Sequence, residues 1–85
     1  MTYRIEIVPK AVKDLTVFPK KDTQKIVTAI HRLEGDLSGD VRRLTNHTPE
    51  YRLRVGNYRV LFEVEETRVV IYRILERKEA YRFGG

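Results

Sequence analysis

Cysteine is absent from the sequence, and histidine occurs only twice, at His31 and His47. Without cysteine the chain can form neither a disulfide framework nor a thiolate metal site, and two such histidines are a poor set of metal ligands. We therefore expect a protein that uses no metal and no cofactor.

Long hydrophobic runs are missing as well. No apolar stretch approaches the roughly 20 residues that a membrane-spanning helix needs. Residues 1–6 alternate charged with bulky side chains instead of forming the apolar centre of a signal peptide. Hydrophobic residues still make up 41% of the chain, which is enough for one small core. These features predict a soluble, cytoplasmic protein that does not bind membranes.

The chain is short and basic. We interpret all 85 residues, 1–85, as one domain. Lysine and arginine total 17 against 12 acidic residues, a net charge of +5. This excess favours anionic partners, namely nucleic acid, the ribosome or an acidic protein. Charge alone fits a well-solvated basic surface equally well, so the positions of the cations have to decide.

Two helices are predicted in the first half of the chain. An apolar stripe at helical spacing indicates a short helix between Pro9 and Pro19. A second stripe indicates a longer helix that Asp22 or Thr23 caps and Gly35 ends. Together they predict a helical hairpin.

The remaining patterns predict four strands. They cover residues 3–7, 51–55, 58–65 and 68–75, with a surface loop at residues 36–50 and a short tail at residues 76–82. The order β-α-α-β-β-β predicts an α+β fold, a two-layer sandwich with the helical hairpin on one face of a largely antiparallel sheet.

The strand at residues 68–75 is apolar on both faces. Simple alternation places Val69 and Ile71 on one face and Val70, Tyr72 and Ile74 on the other. This pattern predicts a central strand, and it leaves the face of the next arginine, Arg73, undecided.

Gly56 and Asn57 form a two-residue turn between two alternating runs, as in a β-hairpin. The turn fixes a register that pairs Val55 with Tyr58, Leu53 with Val60, Tyr51 with Phe62, and Arg54 with Arg59. The apolar members of these pairs share one face, which we expect to meet the helices.

The opposite face of the hairpin carries Arg52, Arg54 and Arg59. Like charges directly opposite each other destabilise a sheet unless an anion lies between them, so this face predicts a concave anion-binding site. In the alternative interpretation, these arginines extend into water or pair with Glu50 and Glu63.

The tail adds Arg77, Lys78 and Arg82, with a phenol ring at Tyr81. Cations that hold phosphates and an aromatic ring that stacks on a base are what single-stranded nucleic acid requires. Tyr81 is equally compatible with a packing role. We predict that Arg52, Lys78 and Arg82 bind RNA.

Residues 51–62 and 74–81, with the sequences YRLRVGNYRVLF and ILERKEAY, resemble RelE-type toxins of the RelE/ParE superfamily. The helical half resembles this family in pattern only. The resemblance implies a toxin that cuts mRNA codons in the ribosomal A site and is held inactive by a tightly bound, acidic antitoxin. Its partners would be the ribosome, mRNA and that antitoxin, with operator DNA bound only through the antitoxin complex.

The family's site residues can be carried over position by position. Its basic positions fall on Arg52, Arg54, Arg59 and Arg77, and its tyrosine falls on Tyr81. The implied chemistry is a metal-independent attack of a ribose 2′-hydroxyl on the adjacent phosphate. We expect Arg54, Arg59 and Arg77 to stabilise the charge that develops on the phosphate, and Tyr81 to orient the target base.

The general base is left open by one departure from the family pattern. Lysines of the family are replaced here by Arg52 and Arg54, and arginine is a poor proton acceptor. The candidates are Glu76, Tyr81 or a ribose hydroxyl that is deprotonated mainly by nearby charge. His31 and His47 lie outside the motif.

Two other functions compete with mRNA cleavage. ParE-type toxins share the fold implied by the resemblance but act on DNA gyrase. The other alternative is a non-catalytic module that binds RNA, or that acts as a co-repressor on operator DNA. A basic surface alone would suffice for that second function.

Overall fold

The computed structural model describes residues 2–80. Its elements in chain order are β1 (Arg4–Ile7), α1 (Pro9–Val17), α2 (Lys20–Asp36), β2 (Asp40–Arg43), β3 (Tyr51–Val55), β4 (Tyr58–Glu65), β5 (Arg68–Glu76) and α3 (Arg77–Ala80). Within these residues, no helix is both long and apolar enough to cross a membrane.

The five strands form one mixed sheet in the order β1-β5-β4-β3-β2. β1 runs parallel to β5, and every other neighbouring pair is antiparallel. The predicted α+β class is confirmed, as is the central position of β5, which lies between β1 and β4. Short connections between β3, β4 and β5 account for their antiparallel order, whereas β1 reaches β5 only after the whole chain has folded back.

The sheet has one strand more than predicted. The segment that we expected to be a surface loop contains β2, which pairs antiparallel with β3 and places Val41 opposite Leu53. Val41 is half-buried and packs against the core, but the other three residues of β2 are exposed. A single apolar position gives no alternation to recognise, so this strand is specified by its pairing with β3.

The predicted helix boundaries are correct for α1 and need two corrections for α2. Helix α1 starts at Pro9 and ends before Pro19, whose ring pushes the preceding residue into an extended conformation. Helix α2 begins directly after Pro19, so Asp22 is not its cap but lies in the first turn. At the other end the helix passes Gly35 and stops where Leu37 adopts a left-handed conformation, with φ of 58°.

The core lies between the helical hairpin and one face of the sheet. Its fully buried members are Ala11, Ile26, Ile30, Leu33, Leu53, Val60, Phe62, Val69, Ile71 and Ile74. Helices and strands both supply core residues, because each has an apolar stripe or face that folding removes from water. The opposite face of the sheet carries the arginines of the hairpin together with a small buried apolar cluster, Leu61 and Leu75.

A β-bulge in β5 changes the predicted distribution of its side chains. Phe62 pairs with Ile71, but the preceding residue Leu61 pairs with Arg73, which leaves Tyr72 as the extra residue. The alternation restarts after the bulge, so Ile74 joins the helix-facing core instead of the face that we predicted for it. Simple counting by two fails because one residue has no partner.

Asp14 of α1 stabilises the part of β5 that follows the bulge. Its Oδ2 accepts hydrogen bonds from Arg73 Nε at 2.8 Å and from the Ile74 backbone N–H at 3.0 Å, and its Oδ1 accepts one from Arg73 Nη2 at 3.1 Å. β1 pairs with β5 only as far as Ile71. The carboxylate thus supplies an acceptor to the strand edge beyond the end of that pairing.

We expect Asp14→Ala to lower the free energy of unfolding by about 2–3 kcal/mol, because hydrogen bonds to a charged group are lost and the half-buried Arg73 guanidinium loses a partner. Urea denaturation measures this change. The matched control is Glu6→Ala, which removes an exposed ion pair with Arg68 and should cost less than about 1 kcal/mol. Equal effects of the two substitutions would contradict the role of Asp14.

Candidate functional site

The hairpin of β3 and β4 has the register that the sequence predicts. Gly56 adopts φ of +57° in the turn, a conformation that glycine reaches without strain. The observed pairs are Val55 with Tyr58, Leu53 with Val60, Tyr51 with Phe62, and Arg54 with Arg59. The rings of Tyr51 and Phe62 stack with centroids 5.5 Å apart on the helix-facing side. The arginines of the hairpin consequently occupy the other face.

Two rows of side chains cross that outer face. One row runs from Asp40 through Arg54 to Arg59, and the other contains Arg42 and Arg52. Neighbours within a row lie on adjacent strands and are close enough to interact. The outer face thus brings together cations from β2, β3 and β4.

Arg52 is the least exposed of these cations, with a relative accessibility of 9%. It lies opposite Leu61 in the register, and Leu61 and Leu75 form a small buried apolar cluster separate from the main core. An arginine can cover apolar atoms with its methylene stem while its guanidinium stays near water. This arrangement restricts Arg52 more than its exposed neighbour Arg54.

The rows border one cleft of about 330 Å³, which we call the arginine cleft. Its lining residues are Asp40, Arg42, Leu44, Arg52, Arg54, Arg59 and Arg77. Five of these seven side chains are cationic and one is anionic. Such a concave, polar and strongly positive surface attracts phosphate groups.

Four of the predicted site residues line the arginine cleft. They are Arg52, Arg54, Arg59 and Arg77. Lys78 lies next to it, in a neighbouring hollow that Asn57, Glu76 and Arg77 also line. Tyr81 and Arg82 lie outside the described residues. The catalytic and RNA-binding roles of all seven stay predictions.

Arg77 is positioned by the hairpin turn. Its backbone N–H donates a 2.7 Å hydrogen bond to the carbonyl oxygen of Asn57, at the point where β5 ends and α3 begins. Arg59 is held at the same end of the sheet, because its guanidinium donates to the carbonyl oxygens of Gly56 and Tyr58 at 3.1 and 3.0 Å. These bonds hold Arg59 and Arg77, which are far apart in the sequence, on one side of the cleft.

The sequence suggested Glu50 and Glu63 as partners of the hairpin arginines, but both carboxylates bind other groups. Glu50 accepts hydrogen bonds from Arg43, and Glu63 accepts one from the Glu50 backbone N–H. Among the described residues, Asp40 is the carboxylate that lines the cleft with these arginines.

Sequence reasoning missed the two charged residues Asp40 and Arg42 of the arginine cleft, as well as the apolar Leu44. Asp40 and Arg42 share one origin. Both belong to β2, which we expected to be a loop. No signal in the sequence identified them, because the one apolar residue between them, Val41, is too little to indicate a strand. Their place in the cleft follows from the pairing of β2 with β3.

The two histidines lie away from the cleft lining. His31 Nδ1 is 2.9 Å from Glu34 Oε1 on the exposed side of α2. His47 Nδ1 is 2.8 Å from the carbonyl oxygen of Pro49. Neither residue lines the arginine cleft.

Tyr58 connects the hairpin to α2 through a hydrogen bond. Its hydroxyl donates a 2.7 Å hydrogen bond to Asp22 Oδ2, and its ring packs on Phe18 with centroids 4.6 Å apart. The hydrogen bond to Asp22 and burial raise the pKa of Tyr58 from 10.0 to about 12, because both favour the neutral phenol. Asp22, expected to be a helix cap, therefore acts as an anchor between layers.

Tyr58→Phe should lower the free energy of unfolding at neutral pH by about 1 kcal/mol, the usual net value of one hydrogen bond. The raised folded-state pKa adds a pH dependence. Its contribution is complete below about pH 10, where the unfolded phenol is still neutral, and is lost as pH rises through about 12. Denaturation of both proteins between pH 8 and 12 tests this, because the difference between them should shrink at alkaline pH. A constant difference would refute the assignment.

Comparisons with known proteins match this chain to ParE and RelE toxins. A family model described as ParE toxin of the type II toxin–antitoxin system ParDE matches residues 5–81. The chain is 32% identical over 77 residues to Toxin RelE3 of Methanocaldococcus jannaschii, covering 85% of this chain and 88% of that protein.

Solved structures give the same result. The fold is similar to the toxin in the RelB–RelE antitoxin–toxin complex from Methanococcus jannaschii, with a TM-score of 0.77, 27% identity and coverage of 94% of this chain and 99% of that chain. It is also similar to the archaeal RelE–RelB complex from Pyrococcus horikoshii, with a TM-score of 0.75, 30% identity and coverage of 91% and 97%.

Fold, cationic cleft and comparisons together define the class as a toxin of a type II toxin–antitoxin system. Within that class, the chain belongs to the RelE/ParE family.

Proposed function

We propose that this toxin is a ribosome-dependent endoribonuclease that cuts mRNA in the ribosomal A site and so stops translation in the cytoplasm. The observation that carries the proposal is the arginine cleft, where cations from four elements surround one space of about 330 Å³. RNA offers one phosphate per nucleotide, and a cut requires stabilisation of the extra negative charge that develops on one of them.

The chemistry consists of an attack by the ribose 2′-hydroxyl on the neighbouring phosphorus. A 2′,3′-cyclic phosphate forms, and the 5′-oxygen of the next nucleotide leaves. Arg54, Arg59 and Arg77 would donate hydrogen bonds to the phosphate oxygens. Donors that are already oriented before the reaction lower the barrier by several kcal/mol, because little reorganisation is needed as charge develops.

The other predicted residues would hold the substrate. Arg52, nearly buried and opposite Leu61 in the sheet, supplies a cation to the lining of the cleft. Lys78 in the adjacent hollow extends the positive surface toward the next phosphates. We propose that Arg82 also binds RNA and that Tyr81 stacks on the target base.

An antitoxin is the expected regulator. The two structural relatives described above are toxins in complex with RelB antitoxins. We propose that an acidic antitoxin binds this protein tightly and neutralises the arginine cleft, since opposite charge favours both association rate and specificity. Operator DNA would be bound only by that complex.

A second function is supported by the description of the matching family model, which refers to a ParE toxin. Inhibition of DNA gyrase is therefore the main alternative, followed by RNA or DNA binding without catalysis. The grouping of five arginines around one cleft favours action on a phosphate over gyrase inhibition, whereas binding without catalysis is separated from cleavage by the test below.

The test is to add the purified protein to a translating extract and map mRNA 5′ ends by primer extension, with and without ribosomes. Cuts within codons are expected only when ribosomes are present, and Arg77→Ala should abolish them. Arg68→Ala is the matched control, because Arg68 lies at the other end of β5 and pairs with Glu6 and Glu65.

Three other outcomes would reject this proposal. Intact mRNA together with loss of gyrase supercoiling would support the ParE-like function. Retarded but uncut RNA would indicate a binding module. Cuts of equal strength in Arg77→Ala would exclude the arginine cleft as the site.

A further inference from the structure

The arginine cleft contains a carboxylate, Asp40, which cannot itself attract a phosphate because both groups are negatively charged. Asp40 begins β2 and lies directly opposite Arg54 in the register. Among the described residues it is the only acidic residue that lines this cleft. Its side chain is 57% exposed, so a ribose could reach it from solvent.

The carboxylate is close to two guanidinium groups but is not locked by them. Asp40 Oδ1 lies 3.9 Å from Arg52 Nη2, and Asp40 Oδ2 lies 4.0 Å from Arg54 Nε. Both separations exceed hydrogen-bond length. The oxygens therefore keep lone pairs that can accept a proton from an incoming hydroxyl.

The arginines themselves cannot fill that role. Arginine has a pKa above about 12 and stays protonated, so it cannot act as a proton acceptor near neutral pH. Glu76 faces the neighbouring hollow with Lys78. Asp40, in contrast, shares a cross-strand row with Arg54 and Arg59, the groups assigned to the phosphate.

We propose that Asp40 is the general base of the cleavage reaction, an inference that rests on the proposed endoribonuclease function. Its carboxylate removes the proton from the ribose 2′-hydroxyl, and the freed electron pair on that oxygen forms the new bond to phosphorus. The bond from phosphorus to the 5′-oxygen breaks, and that oxygen leaves with the bonding pair and takes a proton from water. Asp40 then returns its proton to solvent.

The surroundings of Asp40 make this role measurable by pH. The groups around it in the cleft are Arg42, Arg52, Arg54, Arg59 and Arg77, and those across the groove on α2 are Lys21, Lys25 and Arg32. Free lysine and arginine side chains titrate only at about pH 10 and above. None of these cations accepts a proton near neutral pH, so without Asp40 the proton of the 2′-hydroxyl would have to be removed by hydroxide.

The experiment measures single-turnover cleavage of ribosome-bound mRNA by the unchanged protein, Asp40→Asn and Asp40→Glu between pH 6 and 8.5. Asp40→Asn should cleave about 10²–10⁴-fold more slowly while binding RNA at least as tightly, because one negative charge leaves a cationic cleft. Its rate should also rise more steeply with pH than that of the unchanged protein, because hydroxide must then remove the proton. Asp40→Glu should recover part of the rate. A substrate with sulfur in place of the leaving 5′-oxygen should not rescue Asp40→Asn, because a thiolate leaving group assists only when protonation of that group is impaired.

The outcomes separate the two proposals. If the unchanged protein cuts and Asp40→Asn cuts at a similar rate, the assignment of Asp40 is overturned and the nuclease function stands. Slower cutting with an unchanged pH profile, or rescue by the sulfur substrate, also overturns it, since either result indicates a positioning or acid role. If the unchanged protein does not cut at any pH, both proposals fail.

Discussion

Replacing Arg54 by alanine is expected to slow mRNA cleavage by about 10²–10³-fold, the usual effect of removing one oriented donor from a developing oxyanion. Arg54 lies between Asp40 and Arg59 in its cross-strand row, and its side chain is 55% exposed. Because it buries little surface, its loss should leave the fold intact. The measurement is the single-turnover rate on ribosome-bound mRNA, with circular dichroism to check folding.

Two further variants sharpen this result. Arg54→Lys keeps the charge but loses the planar guanidinium, so an intermediate rate is expected if both the charge and the geometry of the donor matter. Arg54→Ala combined with Arg77→Ala should be less harmful than the product of the single effects, because donors to one phosphate act as a unit. An Arg54→Ala rate within about threefold of the Arg68→Ala control would remove Arg54 from the catalytic set.

The second large effect concerns the core beneath the cleft. Phe62 is fully buried and stacks on Tyr51, and it pairs with Ile71 just before the β-bulge. Phe62→Ala should lower the free energy of unfolding by about 3–5 kcal/mol, because apolar contacts are lost and a cavity remains. A chain of this size has a total stability of about 4–13 kcal/mol, so the loss is a large fraction of it.

Thermal and urea denaturation of Phe62→Ala test this expectation. Val17→Ala is a suitable control, since Val17 is 77% exposed and its truncation should change stability by less than about 0.5 kcal/mol. Phe62→Ala should also lose toxicity in cells, because it unfolds there. At low temperature, where the purified variant is still folded, it should bind RNA. A loss below about 1 kcal/mol would mean that the surrounding residues collapse into the space.

The pairing of strands in the sheet explains how four arginines reach the same cleft. Arg52 and Arg54 are two apart on one strand, so both point to the outer face, and the tight turn at Gly56 returns Arg59 to the same side. Arg77 is added when β5 ends beside that turn. The covalent chain fixes the first three positions locally, but only the completed sheet adds the fourth.

Some elements were predictable because their signals are local. Proline at both ends of α1 limits where a helix can begin and end. The hairpin register follows from one glycine turn and an unbroken alternation on both sides, because moving the register by one residue would bury Arg54. These features require no knowledge of the rest of the molecule.

Other elements were decided by contacts between distant segments. β2 has one half-buried residue, Val41, and becomes a strand because the edge of β3 offers backbone partners. The bulge at Tyr72 moves Ile74 into the core and leaves Arg73 beside Asp14, 59 residues earlier in the chain. No pattern in either segment alone contains that information.

The sequence by itself thus determined the class of fold, the basic character of the outer face and three of its cations, because side-chain alternation and turn conformation are properties of neighbouring residues. Only the tertiary structure decided the fifth strand, the bulge and the presence of Asp40 and Arg42 in the arginine cleft. The physical reason is that these features arise from hydrogen bonds between strands, whose free energy depends on a partner that the local sequence does not specify.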